Sequence, residues 1–341
     1  MSDFDPGDVG KKGSLFGFPY QQKEADLVVI PIPWDVTVSY GEGTSLGPTA
    51  ILEASTQLDF SIPRVVDPWA YKSVMLAPDK GLKSLNDQTR VVAKRVIDSL
   101  ESGKKPSERD IKMVNDASEK MIKVGFEMAT EVIRQGRKVA FVGGDHSTPL
   151  GLMQALAEVH EFGILQIDAH MDLRDSYEGF KYSHASIMFN ALKLSNVLSL
   201  TQVGIRDFAP EETDLTESSK KRINVFYDEE IHRALYNGER WSSIVSAILK
   251  TLPPKVYISF DIDGLEPANC PNTGTPVPGG LSYNQAINLL QELALSGKEI
   301  IGFDLSEVGP GDDEWDGSVG ARVLYRLISS TGISSGAIKY S

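Results

Sequence analysis

One cysteine, Cys270, stands in 341 residues, which excludes an intramolecular disulfide and fits a reducing compartment. No uninterrupted apolar stretch approaches the roughly 18–20 residues of a membrane span, and the N-terminus lacks the apolar core of a secretory signal. A cytoplasmic protein is expected, with no membrane partner. Basic residues are outnumbered, 34 Lys and Arg against 47 Asp and Glu, for a net charge of −13. Nucleic acid is therefore not the expected partner, because phosphate binding needs clustered cations. Histidine is scarce too, at five residues, so its placement carries weight. Apolar content of 41% leaves ample material for a core.

What is present is a set of short apolar runs that alternate with helical periodicity. ADLVVIPIP (25–33) reads as the first buried strand, with others near 138–142, 163–168, 198–204, 223–227, 255–261 and 299–304. Helices are expected near 48–57, 87–103, 109–136, 148–160, 184–195, 210–221, 229–250, 282–296 and 316–330. Residues 60–86 read as irregular. Short strands that are apolar throughout are buried on both faces, so the fold class is α/β, a three-layer α/β/α sandwich around a mostly parallel sheet. No repeat or low-complexity linker divides it. Residues 1–24 form an N-terminal arm over the surface and 25–341 a single domain.

Four apolar runs stop abruptly at polar clusters: KVAFVGGDHS (138–147), FGILQIDAHMDLRD (162–175), KVYISFDIDGLEP (255–267) and IIGFDLSEVGP (300–310). The C-terminal ends of parallel strands are where such sheets bind ligands. In DAHMD, Asp168, His170 and Asp172 follow at every second residue and can share one side of an extended segment. Asp261 and Asp263 repeat that spacing, and GGDH supplies Asp145 and His146. So many carboxylates and imidazoles together repel and titrate abnormally unless cations neutralise them. The clusters predict a metal site with two divalent ions. Carboxylate and imidazole donors without thiolate suit Mn²⁺, Fe²⁺, Ni²⁺ or Zn²⁺, with an oxygen-rich set leaning to Mn²⁺ and Ni²⁺ as the alternative.

GGDH, DAHMDLR and SFDIDGLEP, in that order, resemble the signature of the ureohydrolase superfamily, which comprises arginases, agmatinases and formimidoylglutamases. The resemblance covers roughly residues 25–330. It implies an arginase-like fold and hydrolysis of a guanidino compound to urea and an amine by a hydroxide held between two Mn²⁺ ions. It implies that one ion is held by His146, Asp168, Asp172 and Asp261, and the other by His170, Asp168, Asp261 and Asp263, with Asp168 and Asp261 bridging. Asp145 is not a ligand in the family, and a capping or supporting role falls to it. Glu307, in DLSEVGP, resembles the family glutamate that pairs with the guanidinium, a match for its planar fork. His184, in KYSHASIM, aligns with the family histidine that carries protons, and Asp172 can also orient the attacking oxygen. The catalytic set is then Asp172, His184 and Glu307. His160 and His232 lie in polar helical contexts and are expected to be solvated.

For the substrate, arginases carry an asparagine where this chain has Arg174, which argues against arginine. The run DLR…YEG…SH with WDVTVSYGEGT is most similar to microbial agmatinases, so agmatine, a small cationic guanidino substrate, is expected. Free guanidine or guanidinobutyrate, turned over with Ni²⁺ in some family members, is the alternative, with an arginase or a non-catalytic paralogue behind it. Acids near the mouth (Asp175, Glu178, Asp312, Asp313, Glu314) are expected to attract the substrate. Trp34, Thr37, Tyr40 and Trp315 are expected to narrow its channel. Family resemblance also implies a homo-oligomer, trimeric or hexameric.

Overall fold

The computed structural model describes residues 6–7 and 10–341, so the first part of the expected arm lies outside the described residues. Ten strands follow in chain order: β1 Leu27–Ile32, β2 Val65–Val66, β3 Ser73–Met75, β4 Lys138–Gly143, β5 Phe162–Ile167, β6 Val197–Ile205, β7 Ile223–Tyr227, β8 Lys255–Asp261, β9 Glu299–Ser306 and β10 Lys339–Tyr340. Eight of them form one sheet, ordered β3-β1-β4-β9-β8-β5-β6-β7. Every pairing in it is parallel. The remaining pair, β2 and β10, makes a small antiparallel ribbon that ties the C-terminus to Val65 and Val66.

The helices are α1 Gly47–Ser55, α2 Lys80–Glu101, α3 Glu108–Arg134, α4 Leu150–Ala157, α5 Ile187–Ala191, α6 Pro210–Ser218, α7 Asp228–Tyr236, α8 Trp241–Lys250, α9 Tyr283–Leu295 and α10 Trp315–Ser334. They cover both sheet faces, which explains why each strand is apolar throughout. In β1, Leu27 and Val29 enter the core shared with α8, α9 and α10. Val28, Ile30 and Ile32 enter the other, with α2, α3 and α4. This is the expected three-layer α/β/α architecture.

Four local expectations change. The helix placed at 87–103 begins at Lys80, because the Asp79 carboxylate accepts from Leu82 N (2.8 Å) and offsets the poor helix propensity of Gly81. The single helix expected over 229–250 is two, since Gly238 at φ 88° turns the chain left-handed between α7 and α8. Residues 60–86 are not wholly irregular: β3 adds a three-residue parallel edge to β1. The end of the N-terminal segment is also built in rather than draped, with Leu15, Phe16 and Phe18 buried. Phe16 N donates to Ser55 Oγ (2.9 Å), and its ring lies 5.1 Å from that of Tyr325.

Strand order matters most for the site. The chain leaves β4, crosses to β5, runs outward through β6 and β7, then returns to insert β8 and β9 between β5 and β4. The four central neighbours β4, β9, β8 and β5 are therefore the strands that end in the four polar clusters. The crevice at such a reversal of strand order is where open α/β sheets take ligands.

Candidate metal centre

Each cluster is brought to one point above these strand ends. His146 Nδ1 lies 3.0 Å from Asp168 Oδ2, 2.9 Å from Asp172 Oδ2 and 3.3 Å from Asp261 Oδ2. His170 Nδ1 lies 3.1 Å from Asp263 Oδ2 and 3.6 Å from Asp168 Oδ1. All six side chains expected as ligands thus converge, in two overlapping groups. One ligand atom from each of His146, Asp168 and Asp172 lies within 4.8 Å of the others, and the same holds for Asp168, His170 and Asp263. Asp168 belongs to both. Asp261 approaches from the His146 side, and its Oδ1 accepts from Asp263 N (2.9 Å), which fixes the two acids relative to each other.

Backbone geometry serves the same end. Asp172 and Glu307 both sit at left-handed φ, 56° and 63°. For residues other than glycine this costs about 1–3 kcal/mol and tends to gather at functional sites. Gly144 N donates to Ile32 O, and Asp145 N to Trp34 O (2.7 Å). A Cβ at Gly144 would collide with that Trp34 carbonyl, so glycine is what lets the GGDH turn lie against the first loop.

Polar groups that the sequence reading did not single out hold the ligands in place. His146 Nε2 meets Ser259 Oγ on β8 (2.8 Å), with Asp304 of β9 behind it at 3.7 Å. Gln166 Nε2 donates to Asp168 Oδ2 (2.8 Å) and to His170 O, and Gln202 Nε2 donates to Gln166 Oε1 (2.6 Å). Such outer partners orient ligands and set imidazole tautomers. Asp145 is indeed a support: it accepts from Thr37 N and Oγ1 through Oδ2, and from Ser147 N and Oγ through Oδ1.

Burial pushes the Asp172 carboxyl up to about 7, helped by the charge of Asp168. Burial, with Asp263 and Asp168 nearby, raises Asp261 well above the carboxylate range, and burial with Asp145 does the same to Glu307. At His146 burial favours the neutral ring, but Asp168 and Asp172 outweigh it and raise the pKa. His170 is raised in the same way, against burial, by Asp263 and Asp168. Asp168, despite its burial, is held low by the two imidazoles.

Among the described residues, His146 Nδ1 and Glu307 Oε2 are buried atoms without an aligned hydrogen-bond partner. His146 Nδ1, with three carboxylate oxygens at 2.9–3.3 Å, lies where a cation would be shared among them. The donor set of imidazole nitrogen and carboxylate oxygen fits a pair of divalent ions. In the ion-free protein Asp172, pushed up to about 7, is therefore partly protonated at neutral pH. Because its folded pKa lies above the unfolded one, the stability it adds is full below the unfolded pKa and falls as pH rises through about 7. Adding divalent ions to chelated protein at pH 7 is accordingly expected to release protons. Calorimetry in two buffers of different ionisation heat measures this, and ion binding with no proton release would contradict it.

Beside the ligands opens a cavity of about 180 Å³, lined by His170, Asp172, Arg174, Tyr177, His184 and Asp207 among others. His184 lines this cavity. Burial, with the positive fields of His170 and His146, lowers its pKa to about 3, so its ring is neutral. Glu307 reaches the ligands from β9: its Oε1 accepts from His146 N (2.8 Å). Its Oε2 faces Gly274, where a Cβ would come within 3.1 Å.

The acids at the cavity differ from those expected. Its wall carries Asp207 and Glu212 rather than Asp175, Glu178 or Asp312–Glu314. Asp207 ends the run LTQVGIRD on β6, the same apolar-strand-then-acid pattern as the four clusters, so the signal was present. Of the residues expected to narrow the channel, Trp34 is fully buried, whereas Tyr40 and Trp315 are largely exposed. His160 follows the end of α4 and contacts Lys255 Nζ (3.0 Å), and His232 faces Asp228 on α7.

Comparison with known proteins agrees with this geometry. A family model described as the arginase family matches residues 25–330. The chain belongs to that family, the ureohydrolases, which hydrolyse carbon–nitrogen bonds in linear amidines. Among its relatives, an N(1)-aminopropylagmatine ureohydrolase of Thermus thermophilus is 33% identical over 319 residues, covering 93% of this chain and 94% of the relative. An agmatinase of Neisseria meningitidis is 28% identical over 301 residues, 87% of this chain and 83% of the other. The agmatine ureohydrolase of Thermoplasma volcanium superposes with a TM-score of 0.73 at 24% identity, over 98% of both chains. An arginase from Medicago truncatula does so with 0.68 at 22%, over 90% of this chain and 87% of that one. Among the described residues, no helix is long and apolar enough to cross a membrane.

Proposed function

We propose that this protein hydrolyses a small cationic guanidino compound of the agmatine type to urea and an amine. The observation that carries the reading is the pair of ligand groups joined through Asp168, the first with His146 Nδ1 ringed by three carboxylate oxygens. His146, Asp168, Asp172 and Asp261 would hold one ion, and His170, Asp168, Asp261 and Asp263 the other. When bound, two such ions lower the pKa of a water and make it a nucleophile near neutral pH. The oxygen-rich set favours Mn²⁺ over Ni²⁺.

The protein's own groups do the rest. Glu307 Oε2, buried and without a partner, accepts guanidinium N–H groups and sets the carbon toward the ligands. Asp172 lines the cavity and orients the attacking water by accepting its proton in a hydrogen bond. As the C–O bond forms and the C–N bond breaks, both water hydrogens end on the departing nitrogen, which leaves as an ammonium. His184, neutral and at the cavity wall, is placed to carry them.

The substrate's tail meets groups of both signs. Arg174 is engaged, 3.4 Å from Glu211 and 5.0 Å above the Tyr177 ring. Among the described residues the Asp207 carboxylate pairs with His170 Nε2, at the long distance of 3.9 Å. A loosely paired carboxylate beside an engaged guanidinium favours an amine tail, as in agmatine or N(1)-aminopropylagmatine. Arg174 supports a second reading, a carboxylate tail as in guanidinobutyrate. Urea release from agmatine, N(1)-aminopropylagmatine, guanidinobutyrate, guanidine and arginine, with formamide release from formimidoylglutamate, separates these readings. The assay uses chelated protein reloaded with Mn²⁺ or Ni²⁺. The amine-tailed compounds are expected to show the highest kcat/KM with Mn²⁺, and no urea from any compound would remove the hydrolase reading.

The homo-oligomer, trimer or hexamer, and the cytoplasmic location inferred from the sequence remain part of this proposal. Sedimentation of the intact chain tests the first.

A further inference from the structure

The loop after β1, residues 34–46, touches both Asp145 and His184, and α2 grips it. Asp35 closes the loop on itself: its Oδ2 accepts from Gly43 N (3.2 Å) and Ser45 N (3.3 Å). Asn86 of α2 then holds Asp35 twice, accepting from Asp35 N (2.8 Å) and donating to Asp35 Oδ1 (3.1 Å). One turn on, Arg90 Nη1 donates to the carbonyls of both Val36 and Val38, the two neighbours of Thr37. Its Nη2 meets Glu42 at 3.1 Å.

The residue so clamped has one hydroxyl and three contacts. Thr37 Oγ1 lies 2.9 Å from Asp145 Oδ2, 3.1 Å from His184 N and 3.4 Å from His184 Nδ1. A hydroxyl carries a single proton. The shorter contact, to a fully buried carboxyl oxygen, takes it. Oγ1 is then an acceptor toward the backbone N–H of His184, and an acceptor at Nδ1 as well. A ring nitrogen facing an acceptor carries the proton, and the tautomer of the whole ring follows.

We propose that Thr37 is a positioning residue that fixes His184 as the Nδ1–H tautomer, leaving the Nε2 lone pair as the proton-accepting atom, and that Asn86 and Arg90 hold Thr37 in that role. The consequence for turnover rests on the proton-carrying role given to His184 above; the tautomer itself does not. A ring protonated on Nε2 instead would offer the cavity a donor and could not take up a proton there.

The test combines kinetics with nitrogen-15 NMR of histidine-labelled protein carrying Zn²⁺, a diamagnetic ion, with the His184 signal assigned by its loss in His184→Asn. Wild type is expected to show a pyrrole-type Nδ1 and a pyridine-type Nε2 at His184. Thr37→Val, which keeps the shape and removes the hydroxyl, is expected to lose or reverse that pattern. It should lower kcat about 10–100-fold, the range for outer partners, with unchanged metal content. Thr37→Ser should restore both, and Arg90→Met should disturb both to a smaller degree. A wild-type His184 protonated on Nε2 would overturn the proposal. So would a Thr37→Val protein with the wild-type signal and kcat, or an Arg90→Met protein unchanged in both. If wild type releases no urea from any guanidino compound, the hydrolase reading fails while the NMR pattern still decides the tautomer.

Discussion

Asp168→Ala is expected to abolish stoichiometric binding at both ion positions and to reduce urea release by roughly 10²–10⁴-fold. The size follows from breaking a buried charge pair, about 3–5 kcal/mol, at about 1.4 kcal/mol per factor of ten. Asp168 is shared by the two groups of close ligand atoms, so its loss is expected to touch both ions. Alanine also strands two donors, since His170 N donates to Asp168 Oδ1 (2.6 Å) and Gln166 Nε2 to Oδ2. A buried donor left unpaired costs about 1–3 kcal/mol, which a melting curve would register. Asp168→Asn separates the two effects, because it keeps the shape and one acceptor while removing the charge. Metal analysis of that variant should show fewer than two ions per chain on a fold that melts near wild type. Two tightly held ions in either variant would contradict the shared role. Asp263→Ala, by contrast, should weaken the His170 side first while leaving the chain folded.

Glu307→Gln is expected to keep both ions and lose the substrate. Glu307 touches the ligands only through His146 N, and a glutamine Oε1 can still accept that bond. What disappears is the charge at Oε2, the buried oxygen with no partner. Truncating a buried, hydrogen-bonded charge pair costs about 2–5 kcal/mol, so kcat/KM should fall roughly 30–5,000-fold. Unchanged metal content with that loss supports guanidinium binding by Glu307. Loss of the ions would reassign it to the metal centre, and unchanged kcat/KM would remove it from the site.

What the sequence made legible was local, and what it hid was assembled from afar. Strands ending in Asp168, Asp261 and Glu307 announce themselves because a fully buried parallel strand is apolar until it meets the ligand crevice. Spacing within DAHMD and DID was enough to bring carboxylates to one side. The order of the strands was not readable, because nothing in β8 or β9 says that they return to fill the gap between β5 and β4. Thr37 was read only as a residue that narrows a channel; its work depends on Asp145, His184 and Arg90, each far away in the chain. Asn86 and Arg90 lay in a stretch whose helix start was obscured by Pro78 and Gly81. Asp207 alone was missed despite a visible signal, since its strand ends as the others do.

Whether two ions are held between β4, β9, β8 and β5 is tested most directly by diffraction at a metal absorption edge. Crystals grown from protein reloaded with Mn²⁺ should show two anomalous peaks per chain, about 3.5–4 Å apart. One peak should lie beside His146 Nδ1 and the other beside His170 Nδ1, with Asp168 between them. A single peak, or two that do not share Asp168, would contradict the account.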